Sequence, residues 1–259
     1  MIKITNIQAA RTIGVLLILL SDNSFADSAT PKSTYDWTGV YVGGFAGGAS
    51  SAKTNTTFPA KTDGTHGWEP MFSSYNYETN ASFIGGGTVG YNWQIGKTPY
   101  LVGLEGEYGY LGMKSSSVDP NSSPSIGMMG KSSTNVGSSY GYGLVGGRVG
   151  YSIDRMLFYI KSGAVFTNTQ TNYNLSGIYN NLNTSGSSNT VGYGIGTGFE
   201  YALPFTWSTN ISIKTEYIWL GINRTQMSSG IDTKNGDTYT TTDKISGIST
   251  AKIGVNYKF

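Results

Sequence analysis

The chain has 259 residues, of which 37 are glycine and 19 are tyrosine, and its formal net charge is +2. It contains no cysteine, which excludes disulfides and cysteine metal sites, and only 12% of its residues are charged, against about 25% in an ordinary soluble domain. The near-neutral charge gives no indication of nucleic-acid binding. With a mean hydropathy of -0.21 and a single long apolar run, the chain is not a helical membrane protein.

The chain begins with the features of a secretory signal peptide. Basic residues precede an apolar run at 13–20, and small residues leading to Ala26 form a cleavage site. We therefore predict a signal peptide over 1–26. A proline and several small polar residues then predict a linker over 27–36.

From Trp37 onward, large apolar residues alternate with small or charged ones, which is the two-residue period of β-strands. No segment in this part keeps the spacing of an amphipathic helix. The alternation predicts eight strands, at about 37–48, 82–96, 100–113, 138–153, 156–167, 190–202, 206–220 and 244–259.

The connections between these strands alternate in kind. Three are short turns, and four are long segments rich in Ser, Thr, Asn and Gly, at about 49–81, 114–137, 168–189 and 221–243. Short periplasmic turns and long extracellular loops are typical of outer-membrane barrels. We therefore predict an all-β fold, an eight-stranded antiparallel up-and-down transmembrane β-barrel over 37–259. A secreted soluble β-sandwich is the alternative fold.

The two faces of each predicted strand differ in chemistry. In the strand at 206–220, Ile213 and Tyr217 share one face, whereas Lys214 and Glu216 share the other. An Arg or Lys on the lipid face at mid-bilayer costs roughly 2–4 kcal/mol, so we assign the aromatic face to lipid and the charged face to the lumen. Four acids and four bases then form a lumen charge network: Glu105, Glu107, Arg148, Lys161, Glu200, Lys214, Glu216 and Lys252.

Two further residue types follow this division. Most strand glycines are expected on the lumen face, because the interior of a small barrel is just filled by side chains. Outward aromatics collect near both ends of the strands, which predicts two interfacial girdles. Trp37 and Trp93 are expected in the girdle on the turn side, and Tyr108 and Tyr217 in the girdle on the loop side.

The two ends of the predicted barrel resemble a known family. The opening segment at 37–44 reads WTGVYVGG, and the closing segment at 252–259 reads KIGVNYKF and ends on an aromatic residue. Both resemble the small outer-membrane immunogenic and haemin-binding β-barrel proteins of Gram-negative bacteria, which are similar to OmpA and OmpX barrels. The resemblance implies a location in the cell outer membrane, among lipid and lipopolysaccharide. It also implies that the barrel assembly machinery recognises a C-terminal signal containing Tyr257 and Phe259.

The resemblance further implies haemin as a ligand. One predicted loop contains side-chain types that ligate haem iron, namely His66, Tyr75, Tyr77 and Met71. Because the chain has a single histidine, we assign no cofactor and no metal, and haem binding stays an alternative.

The sequence gives weaker support to three other candidate functions, namely catalysis, nucleotide binding and a channel. His66 lies near Asp63, but catalysis would need an activated serine beside the base, and the loops offer many serines without distinguishing one. The G-x-G-x-x-G at 141–146 lies inside a predicted strand and not before a helix, so it does not predict a nucleotide site. A narrow channel stays an alternative, although aqueous porins use about 16–18 strands.

The function that the sequence favours is structural. We predict a monomeric outer-membrane barrel, not an enzyme, whose lumen is plugged by side chains. Its four polar loops would be displayed outside the cell, where a host or surface ligand is a possible partner and nucleic acid is not.

Overall fold

The strands of the computed structural model account for most of the residues that it describes. These residues are 35–50, 53–57, 75–78, 80–120, 122–137, 141–177, 181–204, 210–222, 224–234 and 236–259. The predicted signal peptide, most of the predicted linker, His66 and Met71 lie outside these ranges. Within them, no helix is long and apolar enough to cross a membrane.

Fourteen strands are formed by the described residues. They are β1 (Gly39–Ser50), β2 (Lys53–Thr57), β3 (Tyr75–Glu78), β4 (Ser82–Gln94), β5 (Tyr100–Leu111), β6 (Met113–Val118), β7 (Met129–Val136), β8 (Tyr142–Ile153), β9 (Met156–Ser176), β10 (Asn181–Ala202), β11 (Ile211–Gly221), β12 (Arg224–Ile231), β13 (Thr238–Ile245) and β14 (Ile248–Lys258). A single turn of 3-10 helix (Pro124–Ile126) lies between β6 and β7.

Eight of these strands close an antiparallel ring. Their order is β1, β4, β5, β8, β9, β10, β11 and β14, and β14 pairs back to β1. The closing register runs from Tyr41 opposite Lys258 to Ser50 opposite Ser249. Each ring strand overlaps one strand predicted from the sequence, so the eight-stranded up-and-down barrel is confirmed. The segment 206–209 of the seventh predicted strand lies outside the described residues.

The segments predicted as long loops contain strands, which the sequence pattern did not predict. Each of β2, β3, β6, β7, β12 and β13 is adjacent in sequence to a ring strand and continues it, while β9 and β10 are long enough to continue by themselves. Buried threonines and serines alternate with exposed or half-buried polar residues in these strands, as at Ser132 and Thr134 of β7. A hydrophobicity pattern does not detect this alternation, because both faces are polar.

We call these six strands, together with residues 168–176 and 181–189, the extension. Its order is β6, β7, β9, β10, β12, β13, β2 and β3. In the described part of the chain the two end strands share no backbone ladder. Tyrosines of β3 instead contact β7, the neighbour of β6: the Tyr75 hydroxyl donates to Ser132 Oγ at 2.6 Å, and the hydroxyls of Tyr77 and Thr134 are 2.5 Å apart.

The outward-facing residues of β10 mark the edge of the apolar band. From the turn end they include Ile195, Tyr193 and Val191, which are all exposed, and then change to Asn189 and Ser187. The extension therefore begins where the outer surface changes from apolar to polar. This is the arrangement expected at the boundary of the hydrocarbon layer.

The aromatic face of the first strand points inward, opposite to the prediction for Trp37. Trp37 is 2% exposed, and its ring packs edge-on against Tyr35 with centroids 4.8 Å apart. On β1 the exposed side chains include Val40 and Val42, whereas Tyr41 is buried. The valines provide the apolar surface that faces lipid, and the larger aromatic rings on the opposite face of the strand fill the lumen.

Candidate functional site in the barrel interior

The barrel interior contains a layer of charged side chains, which we call the charge layer. It consists of the eight residues predicted from strand parity, which are contributed by six ring strands: Glu105 and Glu107 (β5), Arg148 (β8), Lys161 (β9), Glu200 (β10), Lys214 and Glu216 (β11), and Lys252 (β14). Each is 5% exposed or less. Formally the four acids and four bases balance, as a low-dielectric interior requires.

Lys161 lies at the centre of the charge layer. Its ammonium donates to the carboxylates of both Glu105 and Glu107, and it lies 3.4 Å from Glu216 Oε1. One cation therefore joins three acids that come from two non-adjacent strands.

Two other lysines complete the pairing of these acids. Lys252 Nζ is 2.7 Å from Glu107 Oε2 and 3.2 Å from Glu216 Oε2. Lys214 Nζ is 3.4 Å from Glu105 Oε2 and 3.7 Å from Glu216 Oε2. Every lysine of the layer thus contacts at least two carboxylates, which links the strands across the lumen.

Arg148 forms the side of the charge layer nearest the turns. Its Nη1 is 3.2 Å from Glu200 Oε2 and 3.5 Å from Glu105 Oε2. The guanidinium also stacks against two rings, with its Cζ 4.6 Å from the ring centroid of Tyr41 and 4.9 Å from that of Tyr159. Such cation–π contacts are strongest where water is excluded.

Inward tyrosines hydrogen-bond to the carboxylates, and the sequence patterns missed them. The hydroxyl of Tyr41 donates to Glu105 at 2.5 Å, that of Tyr142 to Glu107 at 2.8 Å, and that of Tyr159 to Glu216 at 2.8 Å. Tyrosine also suits a lipid interface, so residue type alone does not assign its direction. The available signal was parity, because Tyr159 and Lys161 share one face of β9.

Glycines make room for these rings. A Cβ at Gly198 would lie 2.3 Å from Tyr159 Cζ, and a Cβ at Gly90 would lie 2.2 Å from the Tyr41 hydroxyl oxygen. The glycine excess at these inward positions therefore allows the tyrosines to reach the charge layer.

Two buried apolar clusters lie on either side of the charge layer. The cluster toward the extension, the upper apolar layer, contains Phe45, Ala49, Ile84, Leu111, Met113, Val136, Tyr142, Leu144, Val165, Ile218, Leu220, Ile222, Ile245 and Ile248. The cluster toward the turns, the lower apolar layer, contains Tyr35, Trp37, Leu101, Leu157, Tyr159 and Ala202. The described part of the lumen is thus filled by an apolar, a charged and an apolar layer in succession.

Three carboxylates of the charge layer are close enough to suggest a metal site. Single oxygens of Glu105, Glu107 and Glu216 lie within 4.8 Å of one another. The ammonium of Lys161 already contacts all three acids, however. A cation would have to displace that lysine, so the group fits an ion-pair network better than a metal centre.

The structure describes two of the four haem candidates, Tyr75 and Tyr77 on β3. Both are buried, and their hydroxyls are engaged with Ser132 and Thr134 on β7. Burial raises the pKa of Tyr75 and raises that of Tyr77 to about 12. Deprotonation to phenolates that could ligate iron is therefore disfavoured in this geometry.

The C-terminal aromatics lie on the outside of the barrel at its turn end. Tyr257 and Phe259 are both exposed, and their ring centroids are 5.1 Å apart. The Phe259 N–H donates to the Val40 carbonyl at 2.9 Å, which extends the β1–β14 ladder to the last residue. Recognition of these two rings by the assembly machinery stays a prediction.

Comparison with known proteins agrees with this architecture. The family model described as outer membrane protein beta-barrel domain matches residues 16–259. The chain is 27% identical over 257 residues to the 31 kDa outer-membrane immunogenic proteins of Brucella melitensis and Brucella suis, with 93% of this chain and 91% of each relative covered.

The comparison with solved structures also gives matches, with low TM-scores. Ail, the attachment invasion locus protein of Yersinia pestis, is 14% identical with a TM-score of 0.37, and the match covers 85% of this chain and 99% of Ail. Neisserial surface protein A is 17% identical with a TM-score of 0.31, and the match covers 86% and 98%. By the family match over residues 16–259, the chain belongs to the outer membrane protein beta-barrel family and is an outer-membrane protein of a Gram-negative bacterium.

Proposed function

We propose that this barrel is a closed membrane anchor that displays the extension at the cell surface. The observation that carries the proposal is the succession of the upper apolar layer, the charge layer and the lower apolar layer across one lumen. An ion crossing the barrel would meet two layers of buried apolar side chains and a set of charges that already neutralise one another. Buried pairs of this kind barely repay their desolvation, so their expected role is to specify packing and exclude water.

The extension supports the display role. It continues the barrel beyond the apolar band as a sheet rather than as separate loops, and its outward residues on β9 and β10 are mainly asparagine and serine. A surface held by backbone ladders presents its side chains in a fixed arrangement. Binding of a host or surface ligand would use this surface, with the chain acting as a monomer among outer-membrane lipid and lipopolysaccharide.

The alternatives receive less support from the geometry. A narrow channel would need both apolar layers to part. Haem binding through Tyr75 or Tyr77 would need β3 to separate from β7, because both hydroxyls are hydrogen-bonded there. We assign no enzymatic role, since each carboxylate of the charge layer contacts an ammonium or guanidinium group.

Cysteine labelling on intact cells tests the display role, and the natural chain contains no cysteine. Ser125 is exposed at the tip of the extension, and Lys97 is exposed in the turn between β4 and β5. We expect a membrane-impermeant maleimide to label Ser125→Cys on intact cells of a Gram-negative host. Lys97→Cys, the matched control, should react only after the outer membrane is permeabilised.

Two results would contradict the proposal. Labelling of Lys97→Cys on intact cells at the rate of Ser125→Cys would mean that the turn end is accessible from outside. Protection of Ser125→Cys in intact cells, with normal folding, would mean that the extension is not displayed.

A further inference from the structure

The outer surface of the extension presents two large apolar side chains on a single strand. Met227 and Ile231 of β12 are 67% and 60% exposed, and the exposed Ser229 lies between them. Ser228 is buried, as expected for a strand whose side chains alternate between two faces. Because successive outward residues of a strand are about 7 Å apart, the two apolar side chains are about 14 Å apart.

Uncharged side chains surround Met227 and Ile231 on both neighbouring strands. On β13, Thr242 lies opposite Met227 and Thr238 lies opposite Ile231, and β10 pairs with the other edge of β12. We call the nine outward residues of these three strands the β12 patch: Met227, Ser229 and Ile231 of β12, Asn183, Ser185 and Ser187 of β10, and Thr238, Thr240 and Thr242 of β13. None of the nine is charged. Apolar side chains within a polar, uncharged rim are typical of a protein–protein interface.

The β12 patch lies outside the hydrocarbon layer. On β10, Val191 is the last exposed apolar residue before the outer surface becomes polar. The pairing of β10 with β12 places Met227 beside Ser187 and Ile231 beside Asn183. At about 3.4 Å per residue and a tilt of about 45°, Met227 is about 10 Å and Ile231 about 19 Å above the level of Val191. The patch therefore does not face lipid chains.

The chemistry of the β12 patch also disfavours a glycan or a polyanion. Sugar rings stack on exposed aromatic side chains, but in the described part of the extension Tyr75, Tyr77 and Tyr173 are buried, and Tyr239 is half-buried against the apolar cluster at the tip. A polyanion requires cations, and the patch has none, since Lys244 lies beyond it at the ring end of β13.

We propose that the β12 patch docks an uncharged, apolar surface of a partner protein outside the cell. This inference rests on the proposed display of the extension. The electrostatic match is neutral against neutral, because a charge of the partner placed against the patch would lose its hydration without gaining a counter-ion. Met227 and Ile231 are the two apolar anchors, and the hydroxyl and amide groups around them hydrogen-bond to the partner at the rim.

A random peptide library displayed on phage tests the proposal on the purified, refolded protein. The patch variant combines Met227→Ser with Ile231→Thr. The matched control combines Val118→Ser on β6 with Met129→Thr on β7, because these natural side chains are also exposed, at 56% and 44%. We expect the clones enriched on the natural protein to have uncharged, apolar sequences. They should bind the patch variant about tenfold more weakly than the natural protein, and the control equally well.

Two checks verify that every variant is folded, namely heat-modifiable migration for the ring and hydrogen exchange of β12 and β13 for the extension. Equal binding of the enriched clones to the natural protein and to the patch variant would overturn the proposal. Enrichment of no clone would also overturn it. A charged consensus among the clones would contradict an uncharged partner surface.

The same variants test the other classes of ligand. Immobilised dextran represents a neutral glycan, and dextran sulfate represents a polyanion. Binding of either polymer that is lost in the patch variant but kept in the control would overturn the assignment to a protein. These measurements use purified protein, so they are separate from the labelling of intact cells. Protection of Ser125→Cys in cells would contradict the display role and leave the phage result unchanged.

Discussion

Lys161 shows how single residues determine the interior of this barrel. Its ammonium contacts Glu105 and Glu107 and lies near Glu216, so removing it leaves three acids short of a counter-ion at once. Breaking a buried ion pair on one side costs more than the pair contributes, because the remaining charge stays buried.

We predict that Lys161→Met lowers the free energy of unfolding by about 3–5 kcal/mol. Lys244→Met is the matched control, because Lys244 is exposed on β13 and its loss should change stability little. Urea unfolding of the refolded proteins in lipid vesicles measures both. A loss for Lys161→Met that is no larger than the loss for the control would show that the lysine is not required to balance the charge layer.

The sequence located the charged residues better than the aromatic ones. A charged side chain in a membrane strand is costly on the lipid face, so residue parity predicts that Glu105 and Lys161 point into the lumen. The structure has both side chains buried there. A tyrosine or tryptophan is acceptable at the lipid interface and in the lumen. Trp37 was therefore predicted on the wrong face, and the hydrogen bond from Tyr41 to Glu105 could not be predicted.

At the scale of elements, β13 introduces a buried acid into the extension. Asp243 accepts a hydrogen bond from the Thr56 hydroxyl at 2.5 Å and is 5% exposed, and the phenol of Tyr77 lies on the same buried side. Burial raises the pKa of this carboxyl above its ordinary value of 3.8. Its contribution to stability is therefore fully present below that value and is lost as the pH rises through the raised pKa.

We predict that Asp243→Asn stabilises the extension at neutral pH. The amide cannot ionise, so it avoids the cost that the buried carboxylate carries above its raised pKa. Hydrogen exchange of β2 and β13, corrected for intrinsic rates, should show greater protection in the variant at pH 7. The two proteins should converge near pH 3, where Asp243 itself is protonated.

The ring strands provide the internal control for this variant, since exchange in β4 and β5 should not change. Slower exchange of the natural protein at pH 7, or an advantage of the variant that is the same at both pH values, would contradict the prediction.

Ring strands and extension strands differ in how far the sequence predicts them. In β10, apolar Tyr193 and Ile195 alternate with glycines, and this contrast identified the strand. Farther along β10, Thr184 is buried while Asn183 and Ser185 are exposed, so the alternation is between polar residues. Their burial depends on long-range pairing with β9 and β12, which local hydrophobicity does not report.

At the scale of the whole molecule, the ring and the extension belong to one continuous sheet but have different surroundings. The ring has lipid outside and a layered interior, whereas the extension is mainly polar outside and lined mainly by hydroxyls inside. The ring closes entirely through backbone ladders, whereas β3 and β6 share no ladder in the described residues, and the Tyr75 and Tyr77 hydroxyls of β3 contact β7. Under the proposed display role, the extension is the part in which sequence change alters the outer surface with least effect on the ring.

Conductance of the refolded protein in planar bilayers tests most directly whether the layered lumen is closed. The upper apolar layer, the charge layer and the lower apolar layer together predict no steady single-channel current for the natural protein, over a range of voltages and at high salt. Heat-modifiable migration of the same preparation verifies that the inserted protein is folded. Steady currents of porin size from folded protein would contradict a closed lumen.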